Sequence, residues 1–137
     1  HKRPVVMSQI SILIVEDNPV HQRLLQSFAK SAQVTYKIVN SGQHALECVF
    51  KDNGFDLVFM DCIMSELSGI DCTRRIRELE LGTGKHVPII AITAMNREDI
   101  ESDCLSAGMD DILLKPFCAA DFAKMIEKYS SEKTLTQ

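Results

Sequence analysis

Three acidic side chains follow two apolar runs: Glu16 and Asp17 come directly after ILIV, and Asp61 closes DLVFMD. If these runs are neighbouring parallel strands, their ends bring the three carboxylates to one edge of a sheet, where open α/β sheets carry their chemistry. Like charges roughly 4 Å apart repel by about 4 kcal/mol at an effective dielectric near 20, so the cluster calls for a cation, a proton or separation. A hard divalent ion such as Mg²⁺ suits oxygen donors of this kind. Two more polar residues end later apolar runs, Thr93 after PIIAI and Lys115 after ILL. A carboxylate beside a divalent ion, an ammonium and a hydroxyl is equipped to be phosphorylated. Asp61 would be the nucleophile, the cation and Lys115 would neutralise the transferred phosphoryl oxygens, and Thr93 would donate a hydrogen bond to one of them.

The elements that must position these groups alternate along the chain. ISILIV (10–15) is a continuous apolar run rich in β-branched residues, the pattern of a strand buried on both faces. Asn18 and Pro19 then open a helix to about Ala32, with Val20, Leu24, Leu25 and Phe28 on one face. VTYKIV (34–39) is a second strand, and Ala45, Leu46, Val49 and Phe50 mark a second helix. After a turn at Asn53–Gly54, DLVFM is the third strand. Ser68–Gly69 opens a helix carrying Ile70, Ile76 and Leu79. PIIAIT (88–93) precedes a helix from about Arg97 to Ala107 that Gly108 stops. ILL (112–114) and a helix with core residues Phe122, Met125, Ile126 and Tyr129 complete five β–α units. Asp56 reads as the turn entering strand three, and Asp110 with Asp111 as a loop pair before strand five. The expected fold is α/β: a doubly wound, five-stranded parallel sheet of flavodoxin-like type. The order 2-1-3-4-5 makes strands one and three adjacent.

Composition narrows the function classes. The 137 residues are 45% hydrophobic and 25% charged with net charge −4, the balance of one globular domain. Scattered basic residues form no stripe for a phosphate backbone, so direct nucleic-acid binding is not expected. No apolar stretch approaches the roughly 20 residues of a membrane span, and HKRPVVMSQ lacks the features of a signal peptide. Five cysteines (Cys48, Cys62, Cys72, Cys104, Cys118) contain no CxxC pair and read as reduced and cytosolic. His1, His21, His44 and His86 are dispersed without zinc-ligand spacing.

ILIVEDN, LVFMD, PIIAITA and GMDDILLKPF occur in an order and at a spacing that resemble the receiver domains of two-component signalling, from about Ile10 to Tyr129. The resemblance implies that Asp61 takes phosphate from a histidine, that Thr93 is the switch hydroxyl, and that Lys115 pairs with the phosphoryl group. It also implies a Mg²⁺ (or Mn²⁺) site formed by Glu16, Asp17, Asp61 and the backbone carbonyl of Ile63, and a cis bond at Lys115–Pro116. The expected organisation is a linker or cloning remnant at 1–9, the receiver at 10–129 and a polar tail at 130–137. EDNPVHQRLL and AGMDDILLKPF resemble receivers of hybrid sensor kinases, which commonly pass phosphate to a histidine phosphotransfer domain. A histidine kinase, such a phosphotransfer domain, or both are the expected partners, near helix one or the helix 4–strand 5–helix 5 face. No attached output domain is expected. The expected location is cytoplasmic, as a free domain or as the cytoplasmic part of a membrane-bound sensor kinase. Homodimerisation is left open. Such a domain catalyses its own phosphorylation and dephosphorylation rather than turning over an external substrate.

Departures from the family pattern bear on mechanism. Ile112 stands where a switch tyrosine or phenylalanine is usual, and Ser65 replaces a loop proline. Ile63 and Met95 are apolar where the family's residues flank the phosphoryl group, and they are expected to hinder an attacking water. Ile63 also stands where an aspartate-nucleophile phosphatase needs a second acid, which counts against that enzyme. A flavin carrier is disfavoured because EDNP would repel a bound phosphate. The remaining alternative is a receiver-like interaction module that works without phosphate.

Overall fold

Five apolar segments form a parallel sheet, and five helices connect and cover it. The computed structural model describes residues 6–51 and 54–135, so positions 1–5 of the expected linker and Asn53 of the expected turn lie outside it. A short 3-10 turn at Met7–Gln9 leads into β1 (Ser11–Val15), α1 (Pro19–Ala32), β2 (Thr35–Val39) and α2 (Gly42–Lys51). There follow β3 (Leu57–Asp61), α3 (Gly69–Glu80), β4 (Ile89–Thr93), α4 (Arg97–Ala107), β5 (Asp111–Leu114) and α5 (Ala119–Leu135). The strand order is β2-β1-β3-β4-β5 and every pair is parallel, as the doubly wound reading expects. Among the described residues no helix is long and apolar enough to cross a membrane.

Alternation along each strand sorts side chains onto the two faces. Ile12, Ile14, Leu57, Phe59, Ile90, Ile92 and Leu113 pack with Leu25 and Ala29 of α1 and with Phe122 and Ile126 of α5. Phe59 stacks on Phe122 with ring centroids 4.2 Å apart. Leu13, Val15, Val58, Met60, Ala91 and Ile112 face the other way, onto Ala45 and Cys48 of α2, Cys72 and Ile76 of α3, and Ile100 and Cys104 of α4. Carried one step past the strands, the same parity puts Glu16, Asp61 and Lys115 on the α1/α5 side.

The helix ends have local causes. Asn18 Oδ1 accepts from the backbone N–H groups of Val20 and His21 at 2.8 and 3.2 Å, which starts α1. Ser68 Oγ accepts from Asp71 N–H at 3.1 Å and caps α3. Gly108, at φ +106°, takes the left-handed conformation that ends α4.

At the edge opposite the strand ends, Arg77 ties three segments together. It donates to Gly108 O at 2.9 Å, to Glu80 Oε1 at 2.7 Å, to Val87 O at 2.8 Å and to Asp110 Oδ2 at 2.9 Å. Asp110 also accepts from Ile89 N–H at 2.8 Å. Asp110 is thus a joint between segments rather than a simple loop residue, while Asp111 is the first residue of β5. Asp56 accepts from Ser11 N–H at 2.8 Å and fixes the approach to β3 beside β1.

Some apolar residues are not where the helical pattern puts them. Val20 and Leu24 are 65% and 50% exposed, and Leu79 and Phe50 are also exposed. The core-facing stripe of α1 is narrower than its apolar stripe and centres on Leu25 and Ala29. The last helix continues to Leu135, through most of the expected tail.

Gly69 couples α3 to the end of β3. A Cβ at this position would fall 2.0 Å from Asp61 O and 2.8 Å from Asp61 C, backbone atoms of a central strand. Helix propensity alone would make Gly69→Ala stabilising by up to about 1 kcal/mol. The clash reverses that sign, and urea denaturation is expected to show a loss of about 2–4 kcal/mol. An unchanged or higher midpoint would mean that β3 and α3 separate at no cost.

Candidate functional site

Glu16 and Asp17 leave the end of β1, Asp61 ends β3, Thr93 ends β4 and Lys115 follows β5. The adjacency of β1 and β3 brings one carboxylate oxygen each from Glu16, Asp17 and Asp61 within 4.8 Å of one another. Lys115 Nζ lies 3.4 Å from Glu16 Oε1 and 3.8 Å from Asp61 Oδ2. Thr93 is buried in the neighbouring strand, and its Oγ1 accepts from Met95 N–H at 3.1 Å. The sequence-expected residues Glu16, Asp17, Asp61 and Lys115 therefore meet at one strand edge, with Thr93 at the end of the next strand. The Lys115–Pro116 peptide is cis.

Local hydrogen bonds aim the carboxylates. Glu16, wholly buried, accepts through Oε2 from Asn18 N–H at 3.1 Å, while its backbone carbonyl accepts from Gln22 Nε2 at 2.6 Å. Asp17 Oδ2 accepts from Ser65 N–H at 3.0 Å, which joins the loop after β3 to the end of β1. Ser65 thus holds the loop through its backbone N–H, a donor that a proline there would lack. Asp61 Oδ1 accepts from Ile63 N–H at 3.1 Å.

Electrostatics in this cluster are dominated by shared negative charge. The Asp61 carboxyl is pushed up from 3.8 to about 7, first by burial, then by its hydrogen bond with Glu16 and the Glu16 charge. Ile63 N–H and Lys115 pull it down, but by less. A proton on the cluster would relieve the repulsion, and so would a cation.

The donor set fits a hard divalent ion. Metal–oxygen distances of about 2.0–2.1 Å in an octahedron place ligand oxygens roughly 3–4 Å apart. A closure of under about 2 Å by side-chain rotation would bring the three carboxylates onto one ion of that size. Sulfur and imidazole play no part in the acidic set, which disfavours a zinc-type site.

One contact was not anticipated from the histidine pattern. His21 Nδ1 lies 3.1 Å from Lys115 Nζ and 3.6 Å from Glu16 Oε1. The available signal was its place four residues after Asp17 on the first turn of α1. Connecting it to Lys115 required the pairing of segments 94 positions apart. A second contact is also new: the thiols of Cys62 and Cys104 sit 3.6 Å apart in the core beneath Asp61. Burial pushes both thiols up, away from the thiolate form. All five cysteines are free.

The family model "Response regulator receiver domain" matches residues 12–127. Among curated relatives, hybrid signal transduction histidine kinase B of Dictyostelium discoideum is 37% identical over 128 residues. The osmolarity two-component system protein SSK1 of Saccharomyces cerevisiae is 32% identical over 154 residues. The alignments cover 86% and 95% of this chain but only 6% and 22% of those proteins. Among solved structures, the receiver domain of sensor histidine kinase PA1611 from Pseudomonas aeruginosa, with a magnesium ion in its active-site cleft, is 35% identical. It superposes with a TM-score of 0.79 over 88% of this chain and 97% of that one. The receiver domain of Ssk1 from Saccharomyces cerevisiae, co-crystallised with the histidine phosphotransfer protein Ypd1, is 32% identical. Its TM-score is 0.82, over 95% of this chain and 94% of that one. With the sheet order, the acidic edge and the family match in agreement, the chain belongs to the response regulator receiver family.

Proposed function

We propose that this domain accepts a phosphoryl group on Asp61 from a phosphohistidine and relays it or uses it to switch partner binding. The observation that carries the reading is the convergence of Glu16, Asp17, Asp61 and Lys115 at one strand edge. An Asp61 carboxylate oxygen attacks phosphorus, the P–N bond breaks, and its electron pair returns to the departing imidazole. Lys115 balances charge gathering on the phosphoryl oxygens, and the Thr93 hydroxyl donates to one of them. Glu16, Asp17, Asp61 and the Ile63 backbone carbonyl would hold Mg²⁺ or Mn²⁺, which would supply Lewis-acid neutralisation of the same oxygens.

Two apolar side chains protect the product. Ile63 and Met95 are exposed on the loops that follow Asp61 and Thr93, and their backbone N–H groups bond those two side chains. Neither side chain can orient an in-line water, so the acyl phosphate persists. Ile63 also supplies no general acid, which argues against turnover of external phosphoesters.

Exposed Val20, Leu24, Ile63 and Met95 give the site an apolar rim on α1 and on the loops after β3 and β4. This rim suits a histidine phosphotransfer domain that delivers its histidine to Asp61, and the yeast relative co-crystallised with such a protein supports the choice. Five free cysteines suit a reducing compartment, so the reading places the domain in the cytoplasm, alone or as part of a sensor kinase. A phosphate-independent interaction module is the second reading. It is favoured by Ile112, which is packed in the core and supplies no mobile aromatic ring.

Acetyl phosphate with Mg²⁺ is expected to add one phosphoryl group by intact mass, to leave Asp61→Ala unlabelled, and to label Lys115→Ala at least about tenfold more slowly. The wild-type label should persist for hours. A half-life of seconds to minutes would remove the shielding role of Ile63 and Met95. A folded protein that takes label neither from acetyl phosphate nor from a phosphohistidine donor would favour the second reading.

The raised Asp61 carboxyl generates a stability prediction. The folded protein holds this proton more tightly than the unfolded chain, so the stabilisation is complete below 3.8, falls as pH rises, and is gone above about 7. Its span is at most on the order of 4 kcal/mol. In metal-free buffer at pH 8, Asp61→Asn is therefore expected to raise Tm by about 5 °C or more. Added Mg²⁺ should raise the wild type more than the variant. A variant Tm at or below that of the wild type would show that no repulsion is stored between Glu16 and Asp61.

A further inference from the structure

Lys115 faces two demands that conflict. In the metal-free site its ammonium lies against Glu16 and Asp61, yet a divalent cation would draw on oxygens of the same two carboxylates. An ammonium resting on those oxygens competes with the metal. The structure contains a third acceptor for Lys115, and it is the nearest of the three. His21 Nδ1 is 3.1 Å from Nζ, against 3.4 Å for Glu16 Oε1 and 3.8 Å for Asp61 Oδ2.

The direction of this contact follows from the chemistry of the donor. An ammonium has three N–H bonds and no lone pair, so Nδ1 must accept and the ring proton sits on Nε2. The same Nδ1 is 3.6 Å from Glu16 Oε1, too far for a hydrogen bond, which leaves Lys115 as its partner. The backbone beneath His21 is firmly placed: Pro19 opens the helix, and the Asn18 side chain caps it by accepting from His21 N–H at 3.2 Å. The imidazole itself is half exposed and contributes little to the core. It is therefore a nitrogen acceptor on a rigid mount beside the acidic cluster.

We propose that His21 is a positioning residue. Its Nδ1 anchors the Lys115 ammonium on the α1 side of the site and so limits competition with a divalent cation for Glu16 and Asp61. The inference rests on the reading of Glu16, Asp17 and Asp61 as a metal site. It adds to that reading a residue that contacts neither metal nor phosphate and acts only through Lys115.

Asn Oδ1 and His Nδ1 are both bonded to Cγ, so His21→Asn keeps an acceptor near the same point, whereas His21→Leu keeps bulk without one. The experiment is isothermal titration of Mg²⁺ into the wild type, His21→Leu, His21→Asn, Lys115→Ala and the His21→Leu/Lys115→Ala double variant. Thermal midpoints report folding, and acetyl phosphate labelling is run in parallel. His21→Leu is expected to weaken Mg²⁺ binding about threefold to tenfold, the equilibrium equivalent of moving one hydrogen bond from His21 to the carboxylates. His21→Asn should recover most of that loss, and His21→Leu should have no effect once Lys115 is absent.

Wild-type Mg²⁺ affinity in His21→Leu would overturn the proposal. An equal loss with and without Lys115 would overturn it too, because His21 would then act on the fold or on the carboxylates directly. A His21→Asn variant as weak as His21→Leu would have the same force. Mg²⁺ binding without labelling of Asp61 would sink the phosphoacceptor reading while leaving the His21 cycle interpretable. Absence of Mg²⁺ binding by the wild type would overturn both.

Discussion

Glu16 and Asp61 are two carboxylates buried side by side at the ends of neighbouring strands, and the rest of the site is arranged around their mutual repulsion. The parallel pairing of β1 with β3 fixes the backbones that carry them side by side. Each has therefore acquired partners that tolerate charge: Asn18 N–H on Glu16, Ile63 N–H on Asp61, and the Lys115 ammonium near both. These partners do not cancel the effect, and the Asp61 carboxyl remains pushed up to about 7. A site left in that condition stores an electrostatic demand that a proton, a metal ion or both can satisfy.

Such strain requires a rigid frame, and the frame is built at some distance from the charge. Both faces of the sheet are covered, and side chains of alternate parity fill two separate cores. Gly69 lets α3 press against the Asp61 carbonyl, so the end of β3 cannot drift toward α3. At the far edge, Arg77 satisfies the acceptors Gly108 O, Val87 O, Glu80 and Asp110 with one planar group. Its charge is only slightly exposed yet makes four hydrogen bonds, the condition under which a buried guanidinium is tolerated. The acidic edge is thus held by packing at Gly69 and by a polar joint at the opposite edge of the sheet.

The five β–α units were legible because each carries a local physical cause. Apolar runs mark β1, β3 and β4; Asn18–Pro19 and Ser68–Gly69 begin α1 and α3; Gly108 ends α4. Val20 and Leu24 misled because an apolar stripe states which residues avoid charge, not which of them find a partner. α1 packs through Leu25 and Ala29 and leaves those two uncovered. Asp110 misled in the opposite sense. A loop acid before a strand looks solvated until Arg77, 33 positions earlier, is folded against it.

By itself the sequence determined the alternation of strands and helices, the expectation of a doubly wound sheet, and the set of polar residues stationed at strand ends. These follow from period, capping and the rule that a strand buried on both faces can place polar groups only at its ends. Only the tertiary structure decided how close the carboxylates stand, that burial and the neighbouring Glu16 push the Asp61 carboxyl up, and that His21 reaches Lys115 across 94 positions. Those properties depend on distance and dielectric between segments remote in the chain. They come into being when β1, β3 and β5 are assembled into one sheet and α1 is laid across it.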